Sequence, residues 1–416
     1  LVTVDRILGT AISRQVSLKL RPRLQTQVLT TIHRAEHIER EACCEDSATW
    51  HYRPGSIYRT TFDCPTCSTP YELVADETGF LNLRRGLMDN SPSVGLFWAG
   101  DSVFQGAGVP SVVEELRGQI ALSMWNLSIQ AYGPRQKVSA VMAYALPKQP
   151  RWLIVEFYSG NDLPEAVRDD VCADFSDFRC RYNGPEIAWR LAHHPAYAAI
   201  FETSTDVFTR LADYCTRNMT LATTRYFFDR LKDVTKRRFM PRPGPQGRPP
   251  EVVSAPHYAR ISKPAWPPMR VRAGQWQTYM QAGMAATRQE YERLLQSLRQ
   301  MTRPPRVILL YNPAPYEVYR GLGVEPEPRW DEASAFQREV LEAFAQQHGW
   351  RYLDLTEPSR RAVQAHQAWL YGQHDRSHWS PRGTTIMAEV LRRELSSIIG
   401  AGAAELYPAT PESHTR

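Results

Sequence analysis

The sequence predicts an α/β domain with helices on both faces of a parallel sheet. Short, continuous apolar runs recur along the chain. Segments with helical spacing lie between them, and the first two apolar runs after residue 93 are each followed by a proline-opened helix. The runs end in turns built from glycine, serine, asparagine and aspartate. Apolar runs without alternation belong to strands buried on both faces, and such strands are joined through helices by right-handed crossovers.

The elements follow in order. "VGLFWAG" (residues 94–100) is the first buried strand, and "PSVVEELRGQIALSM" (110–124) the helix after it. "WNLSIQAYG" (125–133) is a second strand ending in a turn, and "PRQKVSAVMAYALPK" (134–148) a second helix. "RWLIVEFYSGND" (151–162) is the third strand. A long helix over 275–301 leads to "RVILLYNP" (306–313), the fourth. A helix over 332–347 precedes "RYLDL" (351–355), the fifth, and a last helix runs from Ser380-Pro381 to about Ile399. Proline at the first helical position suits a helix start, because its missing N–H has no intrahelical partner there.

Two stretches fall outside this rhythm. Residues 1–92 form an N-terminal extension or cap. It opens on an amphipathic helix, with alternating segments such as "SATWHYRPGSIYRTTFDC" expected as short strands of a small sheet. Residues 165–302 form a large insertion after the third strand, mixed helix and proline-rich loop. The main domain is therefore read as two parts, 93–164 and 303–400, with a C-terminal tail over 401–416.

The chain has 416 residues, 43% hydrophobic and 23% charged, so it can build a sizeable core and is not a disordered polymer. Its net charge of +6 comes without a Lys/Arg block or a nucleic-acid motif, which excludes nucleic acid as the expected partner. No stretch reaches the roughly 18 to 20 apolar residues of a membrane span. The sequence opens on Leu1 rather than methionine, which leaves room for an upstream signal or anchor.

There are seven cysteines. Cys64 and Cys67 form a lone CxxC without a second pair at zinc spacing, so no metal site is expected. In an oxidising compartment, Cys64–Cys67 or Cys172–Cys180 would make small disulfide loops; free structural thiols are the alternative. His193 and His194 read as ordinary helix or surface histidines.

Ligands of an open parallel sheet sit at the carboxyl ends of its strands. Three turns converge there: Gly100-Asp101-Ser102, Gln130-Ala131-Tyr132-Gly133 and Ser159-Gly160-Asn161-Asp162. Far down the chain, "HDRSHWSPRG" carries Asp375 and His378 just ahead of the last helix. A serine hydroxyl attacks acyl carbon only when a base within hydrogen-bond reach takes its proton. His378 would be that base. Asp375, three residues earlier, would hold the other imidazole nitrogen and stabilise the imidazolium.

These four blocks, "GDS" at Ser102, "NLSIQAYG" from Asn126, "GND" at Asn161 and "DRSHW" at Asp375 and His378, occur in the order of the SGNH (GDSL) hydrolase superfamily, which the sequence resembles. The resemblance covers mainly 93–165 and 303–399. It implies a three-layer α/β/α fold with about five strands in flavodoxin-like order. It implies Ser102, Asp375 and His378 as catalytic residues, and no cofactor. Oxyanion donors would be the Ser102 N–H, a backbone N–H of the second turn and the Asn161 side chain. The family usually has glycine at the second-turn donor; here that position is Ala131, and Gly133 is the fallback. Asp101 and Asn126 are expected to serve structure at the site.

The implied activity is a serine-dependent esterase hydrolysing O-acyl esters, chiefly acetyl, through an acyl-serine. Alternatives are an O-acetyltransferase acting on an extracellular polysaccharide and a catalytically silent binding module. The expected partner is an acyl-ester substrate, such as an acetylated carbohydrate, with Trp266, Trp276, Tyr258 and Tyr279 as candidate stacking surfaces. "LLYNPAPYEVY" (Leu309–Tyr319) resembles a bacterial branch of the superfamily whose members often follow an N-terminal membrane segment. That implies an exported protein, periplasmic or extracellular and in some forms membrane-anchored, in preference to a cytoplasmic one.

Overall fold

The computed structural model describes residues 71–84, 95–106, 111–172, 184–201, 271–322, 328–371 and 378–406, apart from 118, 121 and 131, with short stretches between 38 and 60. The chain forms two compact units. The larger spans 39–167, 255–265 and 283–416, and the smaller spans 1–38, 168–254 and 266–282.

The larger unit holds a sheet of five strands: β1 (Leu96–Ala99), β2 (Met124–Asn126), β3 (Trp152–Tyr158), β4 (Arg306–Asn312) and β5 (Arg351–Asp354). Every pairing is parallel, and the spatial order is β2-β1-β3-β4-β5. This is the flavodoxin-like order. All seven residues of β3 are buried, as expected of a strand covered on both faces.

The helices of this unit are α1 (Ser102–Gln105), α2 (Val112–Leu116), α3 (Pro134–Ala140), α4 (Asp162–Val171), α6 (Trp276–Arg299), α7 (Pro315–Val318), α8 (Pro328–Gln347), α9 (Thr356–His366) and α10 (Pro381–Leu406). The helix α5 (Gly184–His193) belongs to the smaller unit, as do the last residues of α4 and the first of α6. On one face, Arg293 of α6 donates to Ser139 of α3 (2.8 Å), and Tyr291 of α6 packs on Phe344 of α8. On the other face α10 packs on α2 and α9. The result is three layers, with the core between sheet and helices.

Two elements are shorter than their sequence suggests. The helix expected over 110–124 is helical only at Val112–Leu116. The second strand stops at Asn126, because the Asn126 side chain captures the N–H of Ser128 (3.0 Å) and turns the chain out of the ladder. Besides the short α1 and α7, one longer helix was not anticipated: α9 starts after an aspartate turn in which Asp354 Oδ1 accepts from the Thr356 N–H (2.7 Å).

The described strands of the N-terminal extension after residue 39 belong to this unit. Its strands Ile57–Thr60, Tyr71–Ala75 and Leu81–Arg84 form an antiparallel sheet. From it, Asn82 accepts from the Asn126 N–H (2.7 Å) and donates to the Asn126 carbonyl (3.1 Å), pinning the end of β2. Phe80 packs edge-on against Tyr144, just beyond α3.

In the smaller unit, Tyr197 donates to Asp170 (2.6 Å) and Phe201 pairs with Val271. Tyr279, a candidate sugar-stacking residue by sequence, is 1% exposed and packed edge-on against Phe201. It is core here, with no face left for a ring. Cys172 is disulfide-bonded. The amphipathic N-terminal segment, the other six cysteines, Tyr258 and Trp266 lie outside the described residues. Among the described residues, no helix is long and apolar enough to cross a membrane.

Candidate active site

The first turn leaves β1 at Gly100. Asp101 is the N-cap of α1, and its Oδ1 accepts from the Val103 N–H (2.8 Å). This puts Ser102 at the first helical position, where backbone N–H groups lack an intrahelical acceptor. Gly100 is required by close approach: a Cβ there would stand 2.5 Å from Glu156 Oε2 and 2.9 Å from Ser128 Oγ.

Across the site, His378 Nε2 lies 2.7 Å from Ser102 Oγ, between residues 276 positions apart. The contact is set by aromatic packing on either side. Phe104, two residues after the serine, is buried between Trp98 (centroids 4.8 Å) and Trp379 (5.2 Å, edge-on). Trp379 is 2% exposed and fixes its neighbour His378. Leu370 and Tyr371, ahead of the histidine in sequence, are anchored as well. The Tyr319 hydroxyl accepts from the N–H groups of Leu370 (2.9 Å) and Tyr371 (3.1 Å), and the Tyr371 hydroxyl donates to the Pro313 carbonyl (2.6 Å). Gly383 lets α10 start hard against the Leu370 carbonyl, which any Cβ would strike.

The other turns stand at the ends of β2 and β3. Asn126 donates to the Phe104 carbonyl (2.9 Å) and to Ser111 Oγ (3.1 Å), so it ties α1 to the second turn. The Gln130 N–H donates to Gln105 Oε1, and Gln105 Nε2 donates to the Tyr52 hydroxyl (2.9 Å). The Gly133 N–H is engaged by Gln136 Oε1 (2.8 Å) in the cap of α3. It is therefore not a free oxyanion donor, which removes the fallback position. Asn161 sits in the third turn with its Oδ1 buried and without a hydrogen-bond partner among the described residues. Ala131 and Asp375 lie outside the described residues.

Behind these turns is a set of buried charges that sequence reasoning did not single out. Lys137, Glu156, Asp162 and Glu317 are all at most 2% exposed. Glu317 accepts from Ser159 Oγ, Tyr311 Oη (2.9 Å), the Ala314 N–H (2.9 Å) and Arg338 (2.7 Å). Burial holds its carboxyl above the usual carboxylate range. The "NPAPYEVY" stretch therefore acts as scaffold: it supports Ser159, two residues before Asn161, and through Pro313 the histidine loop. For Glu156 a signal existed in the sequence, since it is the single charge inside the apolar run of β3. Lys137 on α3 reads as a surface lysine, and nothing local distinguishes it.

A cavity of about 610 Å³, lined among others by Trp152, Arg306, Trp350 and Arg351, lies at the amino ends of β3–β5. It is at the opposite end of the sheet from Ser102 and takes no part in the geometry above.

No protein-family model and no curated protein matches the chain. Among solved structures it is similar to Axe2, an acetylxylan esterase from Geobacillus stearothermophilus (TM-score 0.34, 13% identity, 74% of this chain and 96% of that one). It is also similar to a lipase/acylhydrolase from Enterococcus faecalis (TM-score 0.32, 12% identity, 73% and 95%). A third is a gut microbial diltiazem-metabolizing enzyme (TM-score 0.37, 10% identity), of which the match takes in 48% while covering 74% of this chain. At these scores the functional argument rests on the chain's own geometry.

Proposed function

We propose that the protein is a serine-dependent esterase of the SGNH type, acting on O-acyl esters, chiefly acetyl. The observation that carries the reading is the 2.7 Å contact between His378 Nε2 and Ser102 Oγ at the carboxyl end of a parallel sheet. As Ser102 Oγ bonds to the acyl carbon, its proton passes to His378 Nε2. The carbonyl π electrons move to oxygen and form an oxyanion. Its donors are assigned as the Ser102 N–H, the Ala131 N–H and the Asn161 amide. Collapse of the tetrahedral adduct breaks the ester C–O bond, and His378 returns the proton to the leaving alkoxide. Water then gives a proton to His378 and adds to the acyl-serine. Collapse of that adduct releases the acid and restores the serine hydroxyl. Asp375 is assigned as the group that orients His378.

The test is p-nitrophenyl acetate turnover by wild type, Ser102→Ala and His378→Ala, each with and without an added oligosaccharide. The esterase reading predicts loss of turnover by several powers of ten in both variants. Acetyl appearing on the sugar in place of free acetate would make the protein a transferase instead. Equal background rates for all three proteins would leave a silent binding module. An acetylated carbohydrate as substrate, and export from the cytoplasm, belong to this same proposal.

A further inference from the structure

We propose that Lys137, Glu156 and Asp162 form a buried positioning triad that locks the nucleophile turn and the third turn to the helix that follows the second turn. The proposal rests on the esterase reading and concerns what holds that site in register.

The connections are direct. Glu156 Oε2 accepts from the Asp101 N–H (2.9 Å), the residue before Ser102, and Oε1 accepts from Asn312 Nδ2 (2.7 Å) on β4. Asp162, the residue after Asn161, accepts at Oδ2 from the Tyr158 N–H (2.9 Å) and from Lys137 Nζ (2.6 Å). Lys137 Nζ also donates to the Glu156 carbonyl (3.2 Å) and stands 3.5 Å from Glu156 Oε2. Lys137 is on α3, which begins immediately after Gly133. One ammonium thus ties the backbone beside the nucleophile, the backbone beside Asn161 and the helix that closes the second turn.

A purely structural role explains these groups poorly. Both Lys137 ion pairs are fully buried, and well-packed apolar residues of similar volume commonly stabilise a fold as well or better. Charge adds directional hydrogen bonds at fixed points, which a reacting site needs because a misplacement of about 1 Å can cost about a hundredfold in rate. Burial raises Glu156 to about 8 and Asp162 to about 7. Lys137 is held above its usual value, since burial, which lowers it, is outweighed by Asp162, Glu156 and Asp101. The lysine therefore stays charged across neutral pH.

The experiment compares wild type with Lys137→Met, Glu156→Gln and Asp162→Asn. It measures kcat and KM on p-nitrophenyl acetate, the rate of Ser102 phosphonylation, and thermal unfolding to fix the folded fraction. The expected result is a fall in kcat of about tenfold to a hundredfold per folded molecule. KM should stay within about twofold, and phosphonylation should slow in parallel. If Lys137→Met does not fold, the two isosteric carboxamides decide. Variants that lose melting temperature but keep wild-type kcat, or that raise KM alone, overturn the triad. A wild type without Ser102-dependent turnover overturns the esterase reading itself, and is told apart because it fails before any triad variant is compared.

Discussion

Substituting Gly100 by alanine perturbs the site by one methyl group. The new Cβ would stand 2.5 Å from Glu156 Oε2, 2.9 Å from Ser128 Oγ and 3.0 Å from Phe104 Cβ. Glu156 cannot simply swing aside, because Asn312 holds its other oxygen at 2.7 Å. Relief means drawing Oε2 away from the Asp101 N–H, now 2.9 Å away. Overpacking of this kind costs about 1–3 kcal/mol, and a buried N–H stripped of its acceptor costs about another 1–3 kcal/mol. A total of about 2–6 kcal/mol corresponds to a fall of roughly 5–20 °C in Tm for a unit of this size. The displaced segment carries Ser102, so kcat should also fall, by about a hundredfold for a shift near 1 Å, with KM little changed. Thermal unfolding and p-nitrophenyl acetate kinetics on one preparation measure both. An alanine variant with wild-type Tm and wild-type kcat would refute the close packing of Glu156 under the nucleophile turn.

Three further outcomes are expected. Trp379→Ala removes the aromatic wall behind Phe104 and should destabilise the protein by about 3–5 kcal/mol; at temperatures where it stays folded, kcat should drop because His378 loses its neighbour, and denaturant unfolding with kinetics checks both. Tyr371→Phe removes the hydroxyl that donates to Pro313. It should cost about 1 kcal/mol in urea unfolding and lower kcat/KM measurably; no change in either would show that the histidine loop does not depend on this bond. Stability should fall as pH rises from about 4.5 to about 8. Burial, with the Asp101 charge adding to it and Lys137 opposing it, raises the Glu156 and Asp162 carboxyls in the folded state above their ordinary values of 4.5 and 3.8. The unfolded chain binds fewer protons across that window, giving a slope of about 1.4 kcal/mol per pH unit for each proton held. Melting curves of Glu156→Gln should show a shallower dependence, and an unchanged slope would contradict the assignment.

Much of this fold was legible because its strands are buried on both faces. Runs such as Trp152–Tyr158 and Arg306–Asn312 could be nothing but central strands once the helices between them were counted; their order was an expectation of the family resemblance. The pairing of Ser102 with His378 was legible because each stands at the end of an element in that architecture. What escaped was tertiary in origin. Lys137 has no local mark of burial; it is buried only because Asp162 and Glu156 arrive from other elements to neutralise it. Tyr319 and Tyr371 look like core aromatics, and their hydroxyl bonds to the histidine loop depend on chain reversals no periodicity reveals. The early end of β2 depends on one side chain, Asn126, taking a backbone N–H from the ladder. The N–H of Gly133, the fallback donor, is taken by Gln136, three residues on, in the cap of α3.

The central claim is that Ser102 is a nucleophile made reactive by His378. Incubation with a serine-reactive phosphonate, followed by peptide mass spectrometry, tests it most directly. The account predicts a single adduct on Ser102, absent in Ser102→Ala and formed orders of magnitude more slowly in His378→Ala. Folded wild-type protein that takes up no label, or takes it up on another residue, would contradict it.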